Sequence, residues 1–527
     1  MVFLAEVAEI SIKTNLQQFV LVLSISLTVA TFSRIFSWLR QIPYTLLLVI
    51  VGLGLAFIDV RLVNLSPELI LEIFLPPLLF EAAWNIRWRE LQKQWLPVTL
   101  FALVGVAIAI FGIGFALSQW TNLPLATALL AGAALSATDP VSVVALFREL
   151  GASKKLTVVM EGESLFNDGV AVVAFLLLVG IPLGTQSLST SATVATFLTF
   201  VGVGVGLGCL IGYGISFLTQ RFDIPLVEQS ITLVAAYGTY LLTEELGGSG
   251  VIAVVTVGII LGNFGSNIGM NPRTRLVVSE FWEFLAFFVN SIVFLLIGDQ
   301  VNFASLGNSL DLIFVAIASV LVTRAISVFG LGWISNRFGS SDKLTLSEQV
   351  VLWWGGLRGS VSIAVALSVP VVLGDRQEII NIIFGVVLFT LLVQGLTTQF
   401  VLEKLNLIGD QPLRQEYSEL LARRVALRRV LDYLSQLDIA PDVDEEFYNY
   451  ERDLVKGELR SVDEKIEKLK NQHPPLRQLD MQQLRDTLLD IEADTYAEFI
   501  RIGRLNKDLS PLLQEVLVKS TEREIKG

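Results

Sequence analysis

Thirteen apolar runs recur along this chain, at 16–38, 43–60, 66–86, 96–119, 124–148, 157–180, 193–219, 229–246, 249–264, 276–299, 309–336, 346–372 and 378–403. Each is near or above the ~17–25 residues that a helix needs to cross a hydrocarbon core of ~30 Å. In lipid a spanning segment must satisfy its own backbone polar groups, so such runs fold as helices. The chain reads as an all-α polytopic membrane protein. Composition agrees: of 527 residues, 53% are hydrophobic and only 17% are charged, which excludes an ordinary soluble domain. The eighth and ninth runs are divided only around Gly247, Gly248 and Ser249.

Charge sorts the loops between these runs. Arg40, then Arg87, Arg89 and Lys93, then Arg148, Lys154 and Lys155, then Arg221, Arg273, Arg275, Arg337 and Lys343 fall on one side. The other side receives Lys13, Arg61 and Arg376, accompanied by Asp59, Asp311 and Asp375. Basic loops stay cytoplasmic, which puts the N-terminus outside and the long C-terminal segment inside. An odd number of spans requires that outcome. Thirteen also divides as six, one and six, with the second six inverted relative to the first, the arithmetic of an inverted repeat whose site lies at the midplane. The fifth span contains Ser136-Ala-Thr-Asp-Pro140, where Pro140 cannot donate to Ser136 and pushes Asp139 out of helical dihedrals. Its counterpart, the twelfth span, carries Gly355-Gly-Leu-Arg-Gly359 at its middle. The expectation is two broken helices that cross there. Trp38, Trp88, Trp95, Trp120 and Trp333 near run ends fit interfacial anchoring.

The reading divides the chain into a transmembrane part, 1–405, and a helical cytoplasmic tail, 410–527. Glu416 to Leu437 places Leu420, Leu421, Leu427, Val430, Leu431 and Leu434 on a helical period, 442–469 follows, and Pro474-Pro475 breaks the pattern. Charged residues are densest after about residue 403, and the formal charge of -12 gives no support to a nucleic-acid partner. The single cysteine, Cys209, and the single histidine, His473, exclude an internal disulfide, a Cys- or His-rich metal site and a histidine proton relay. Neither a nucleophile motif nor a nucleotide-binding glycine loop is present, so the chain is read as a non-enzyme without a cofactor. The N-terminus lacks a basic region and a small-residue cleavage pattern, and no removable signal peptide is expected.

Chemistry must then come from carboxylates in the spans. A carboxylate in a bilayer span costs at least ~2.5 kcal/mol on insertion scales, so such residues face the bundle interior and mark an ion or proton path. The sixth span holds Glu161, Glu163, Ser164, Asn167 and Asp168. At about 100° per residue, Ser164 and Asp168 share a face, Glu161 lies within roughly 20° of it, and Glu163 points about 140° away. Asp168, Ser164, Glu81 and backbone oxygen near Thr138 could converge on a small, partly dehydrated Na⁺ or Li⁺, with Asp139 at the helix break. Burial disfavours an ionised carboxylate and a bound cation favours it, so proton and cation compete for one group. Asn167 is neutral where a second acid could stand, and one titrating aspartate gives one-for-one, electroneutral exchange. Arg358 and Arg324 need partners, and Glu163 is assigned to Arg358. Glu161 belongs near the cytoplasmic mouth, while Glu228, Glu244, Glu280 and Glu283 lie at run ends as interfacial charges.

Ala137-Thr-Asp-Pro-Val141, Glu161-Gly-Glu-Ser-Leu-Phe-Asn-Asp-Gly169 and Gly355-Gly-Leu-Arg-Gly359 together resemble the electroneutral cation:proton antiporters, the NhaP type and the animal sodium/proton exchangers. The resemblance covers about three quarters of the chain. It implies a thirteen-span fold with a core bundle and a dimerisation bundle, a homodimer, and elevator-like movement in the cell membrane. By motif position it implies Asp168 as carrier, Asn167 beside it, Ser164, Glu81 and the Thr138 backbone as ligands, Asp139 assisting, and a Glu163–Arg358 pair. The tail does not resemble the calmodulin-regulated tail of the animal exchangers. K⁺/H⁺ exchange is the alternative within transporters, and a cation channel lined by the same carboxylates is the rival outside them.

Overall fold

Satisfying the backbone inside each apolar run leaves one secondary structure, and a computed structural model of the chain contains helices and no strand among its described residues. The described residues are 2–36, 42–58, 66–184, 190–221, 224–339, 343–408, 411–436 and 445–473, with Leu39, Leu62 and Thr495. Trp38, Arg40, Asp59, Arg61 and the Pro474-Pro475 break lie outside them. The chain divides into two compact units, Met1–Leu407 and Ile408–Gly527.

In the first unit the helices are α1 (Val2–Ile35), α2 (Tyr44–Phe57), α3 (Leu75–Asn85), α4 (Val106–Trp120), α5 (Leu125–Ser136), α6 (Val141–Leu150), α7 (Lys154–Leu178), α8 (Thr190–Thr219), α9 (Pro225–Glu245) and α10 (Gly250–Ile260). They continue with α11 (Pro272–Asp299), α12 (Leu310–Ala325), α13 (Leu346–Trp354), α14 (Ser360–Leu367) and α15 (Arg376–Phe389). Several join wider π-helical segments, which recur at functional sites: Leu69–Phe74 runs into α3, Leu100–Gly105 into α4, and Ile326–Leu331 and Thr390–Gly395 extend α12 and α15. Pro76 and Pro77 follow the first of these segments. Helical dihedrals continue through Glu68, Phe74 and Leu75, and both prolines sit in the first turn of α3, where a missing N–H is least costly.

Among the described residues, six helices are individually long and apolar enough to cross a membrane: Trp95–Trp120, Leu125–Arg148, Thr193–Thr219, Thr274–Asp299, Leu310–Phe338 and Arg376–Lys404. Gln17–Ser33, Tyr44–Phe57 and Gly250–Ser266 are shorter apolar helices. Charge or interruption sets the others apart: α7 carries three acids within one stretch, α9 has glutamates in its first and last turns, and α13 and α14 are separated by a glycine-rich break. The eighth and ninth runs are separate helices, α9 and α10, joined by a turn in which the Gly248 N–H donates to Thr243 O. Trp88, Trp95, Trp120 and Trp333 all expose their rings. Glu228, expected at the surface, is instead buried in the first turn of α9, where a carboxylate complements the positive end of the helix.

The centre of the unit is built around α5 and α7. Every residue of α5 from Thr127 to Ser136 is buried, as a helix apolar on all sides must be. Helix α7 packs against α5, the Leu100–Gly105 segment and α10, so its acids are enclosed.

The second unit pairs α16 (Gln411–Gln436) with α17 (Glu445–Gln472) around Tyr417, Val462 and Ile466, flanked by Leu420, Leu421, Leu427 and Leu469. Val430, expected on the apolar stripe, is exposed. It lies about 140° around the helix from Tyr417.

Candidate functional site

Two interrupted helices meet beside α7. The first loses helical form between Ser136 and Val141, the second between Trp354 and Ser360. Proline causes one break and glycines the other, and the two breaks are in contact: the Asp139 N–H donates to Leu357 O at 2.9 Å. Two glycines are needed for this approach. A Cβ on Gly359 would collide with the Asp139 carboxylate, and one on Gly356 would come within 2.6 Å of Arg324 Nε.

Breaking a helix exposes its end groups, and the structure meets them with charge. Asp139 accepts from Val141 N at 3.0 Å and its carboxylate lies against Gly359, so it faces the N-terminal ends of both α6 and α14. At the opposite end of α13, Arg324 Nη2 donates to Leu352 O at 3.0 Å, placing a cation on a helix C-terminus.

Helix α7 presents two neighbouring polar faces to this crossing. On one, Ser164 and Asp168 lie one turn apart, both buried, with Ser164 Oγ 2.9 Å from Thr138 Oγ1. Asp168 Oδ1 is buried and has no hydrogen-bond partner in the protein. Asn167 sits alongside and fixes the break. Its Nδ2 donates to Thr138 Oγ1 at 2.5 Å and its Oδ1 accepts from Thr138 N at 3.3 Å. The first break and α7 are therefore locked together by side chains that carry no charge. An orphaned carboxylate oxygen next to two hydroxyls is a hard, oxygen-rich environment of one formal negative charge, suited to a small monovalent cation or to a proton. A dry carboxylate left without either is costly.

The second face corrects the sequence reading. Glu163 accepts from both Nη1 and Nη2 of Arg324, the latter at 3.1 Å. The Glu163–Arg358 pair expected from sequence is thus replaced by Glu163–Arg324. Helical phase gave the direction in which Glu163 points, but not which of two distant guanidinium groups reaches it. Arg358 lies close by, within electrostatic reach of Arg324, Glu163 and Asp168, while its backbone N–H donates to Thr390 Oγ1 at 3.1 Å. Arg324 is the residue whose partner sequence reasoning missed; its one signal was an arginine inside an otherwise apolar run.

Among the described residues no hydrogen bond joins Glu81 to Asp168, Ser164 or Thr138. Asn85 Nδ2 donates to Glu81 Oε1 at 2.5 Å, and the carboxylate lies in the field of Arg148, Glu161 and Glu283. Arg148 is itself bonded to Glu161 at 2.7 Å. Glu161, the member of this group on α7, lies about two turns from Asp168.

Comparison with known proteins follows the same lines. A family model described as sodium/hydrogen exchanger, transmembrane, matches residues 23–404. The Na(+)/H(+) antiporter ApNhaP of Aphanothece halophytica is 65% identical over 516 residues, 98% of this chain and 99% of that protein. The low-affinity Na(+)/H(+) antiporter NhaS1 of Synechocystis is 64% identical over 507 residues, 96% of each. Among solved structures, the sodium proton antiporter MjNhaP1 of Methanocaldococcus jannaschii matches with a TM-score of 0.61 at 21% identity, over 75% of this chain and 99% of that one, a likeness of fold.

Proposed function

Because the chain belongs to the sodium/hydrogen exchanger family, we propose that it is a secondary transporter that exchanges Na⁺ or Li⁺ for H⁺ one for one at Asp168. The observation that carries this reading is the buried Asp168 carboxylate, with an unpartnered oxygen, beside Ser164 and Thr138 at the crossing of two broken helices.

The cycle follows from charge. Ionised Asp168 takes a cation, with Ser164 and Thr138 supplying neutral oxygens and Asn167 holding Thr138 in place. Protonation removes the charge that holds the cation, so the two ions exclude each other. An empty ionised site is too costly to carry across the membrane, which makes each crossing loaded and couples the two fluxes. With Asn167 neutral, one positive charge travels each way and the exchange is electroneutral. Asp139 serves the site by neutralising the two half-helix ends, and Glu81 with Glu161 lines the approach on the cytoplasmic side, where acids concentrate cations.

The membrane arrangement proposed with it has thirteen spans, two inverted six-helix sets joined by one central span, with the N-terminus outside and the tail in the cytoplasm, in a homodimer of the cell membrane. The core helices move as a body past a dimerisation bundle to alternate access. Support comes from the basic-loop asymmetry and from the paired breaks in α5–α6 and α13–α14.

Reconstituted protein in liposomes with a trapped pH dye tests the proposal directly. Adding Na⁺ or Li⁺ should move protons, K⁺ should move few, and Asp168→Asn should abolish the response. A transport current that scales with turnover would refute the one-for-one stoichiometry, and proton movement surviving in Asp168→Asn would refute the carrier assignment.

A further inference from the structure

We infer that a single water molecule is bound behind the cation site, held between Arg324, Arg358 and Ser327. Glu163 and Asn167 lie one turn apart on α7, on the face next to that of Ser164 and Asp168. With Ser136, Arg324, Ser327 and Arg358 they line a cavity of about 10 Å³, the size at which an internal site takes one water, ~10–15 Å³. Arg358 Nε and Nη1, Arg324 Nε and Ser327 Oγ are buried there and have no hydrogen-bond partner in the protein. The three residues are 2%, 9% and 3% exposed. Buried donors without acceptors are strongly disfavoured.

The chemistry of the lining selects the occupant. Three of the four orphaned atoms are guanidinium N–H groups, so the ligand must offer lone pairs. Glu163 does not serve them: its two oxygens accept from Nη1 and Nη2 of Arg324, and none of the four orphaned atoms is bonded to it. A water accepts from one N–H of each arginine and donates to Ser327 Oγ, separating two like charges that otherwise face each other. A halide would also accept, but a cavity of about 10 Å³ only just admits one water-sized sphere, and chloride is larger.

Hydroxyl-radical footprinting of the full-length protein reads such a site, because radiolysis of bound water labels the side chains touching it. Phe101 lines the cavity and is 1% exposed, while Phe80 is 0% exposed and is not among the lining residues. Phe101 should be labelled and Phe80 should not. Ser327→Ala keeps the space and should keep the label; Ser327→Val fills it with a methyl group and should lose the label and lower the melting temperature. Melting in chloride and in gluconate should coincide. The inference is overturned if Phe101 is labelled no more than Phe80, if Ser327→Val labels as the parent does, or if chloride alone raises the melting temperature, which would identify an anion.

Discussion

Replacing Arg324 by glutamine should be the most damaging single change outside the cation site, and its cost can be worked from the contacts. Arg324 supplies two hydrogen bonds to Glu163 and one to the Leu352 carbonyl, with Glu163 1% and Arg324 9% exposed. Removing one partner of a buried, hydrogen-bonded ion pair costs about 3–5 kcal/mol, mostly because the other charge is left uncompensated, whereas removing both is far milder. Glu163→Gln and Arg324→Gln should each therefore lower stability by about that amount, and the double variant should be more stable than either single one. At ~2 °C or less per kcal/mol for a chain of this size, the single variants should melt roughly 5 °C low. Arg358 makes no hydrogen bond to Glu163 but lies within its electrostatic reach, so the cycle of Glu163→Gln with Arg358→Gln should show a smaller coupling than the Arg324 cycle. The assay is thermal unfolding of the detergent-solubilised variants, run as two double-mutant cycles. A larger coupling in the Arg358 cycle than in the Arg324 cycle would return Glu163 to Arg358 and refute the pairing.

Gly359→Ala should depress both melting temperature and exchange, at about 1–3 kcal/mol for an overpacked site, because its Cβ has no room beside the Asp139 carboxylate; parent-like proton flux in liposomes would count against that close approach. Lys155 and Glu348 form a bridge of 2.9 Å, 16% and 7% exposed, and Glu348 also accepts from Thr345 N and Oγ1. Lys155→Met removes one of these donors and should cost about 1–3 kcal/mol in a melting assay; no shift would show that the bridge contributes nothing. Glu81→Gln should raise the KM for Na⁺ several-fold with little change in kcat, an effect that fades at high ionic strength as screening sets in. A KM increase that persists at high ionic strength would instead place Glu81 at the cation.

The tail shows how far helical period alone carries. Tyr417, Leu420, Leu421 and Leu427 share the packed side of α16, and three of these leucines were legible as a stripe, but Val430 on the same apparent stripe is exposed because the partner helix covers only one arc. Phase along a helix is set by the chain itself; the width of the face that becomes buried is set by its neighbour.

The same division runs through the site. The chain's own chemistry was enough to specify helices in lipid, a proline break at Asp139, a glycine break at Gly359, and Ser164 and Asp168 stacked one turn apart, since these depend on steric rules and helical geometry over a few residues. Packing decided that Glu163 meets Arg324, 161 residues away, that Asp139 faces two helix ends at once, and that Glu81 stands with Arg148 and Glu161. Those outcomes turn on distances between helices that are remote in the chain, and rotation about a single helix axis carries no information about such distances.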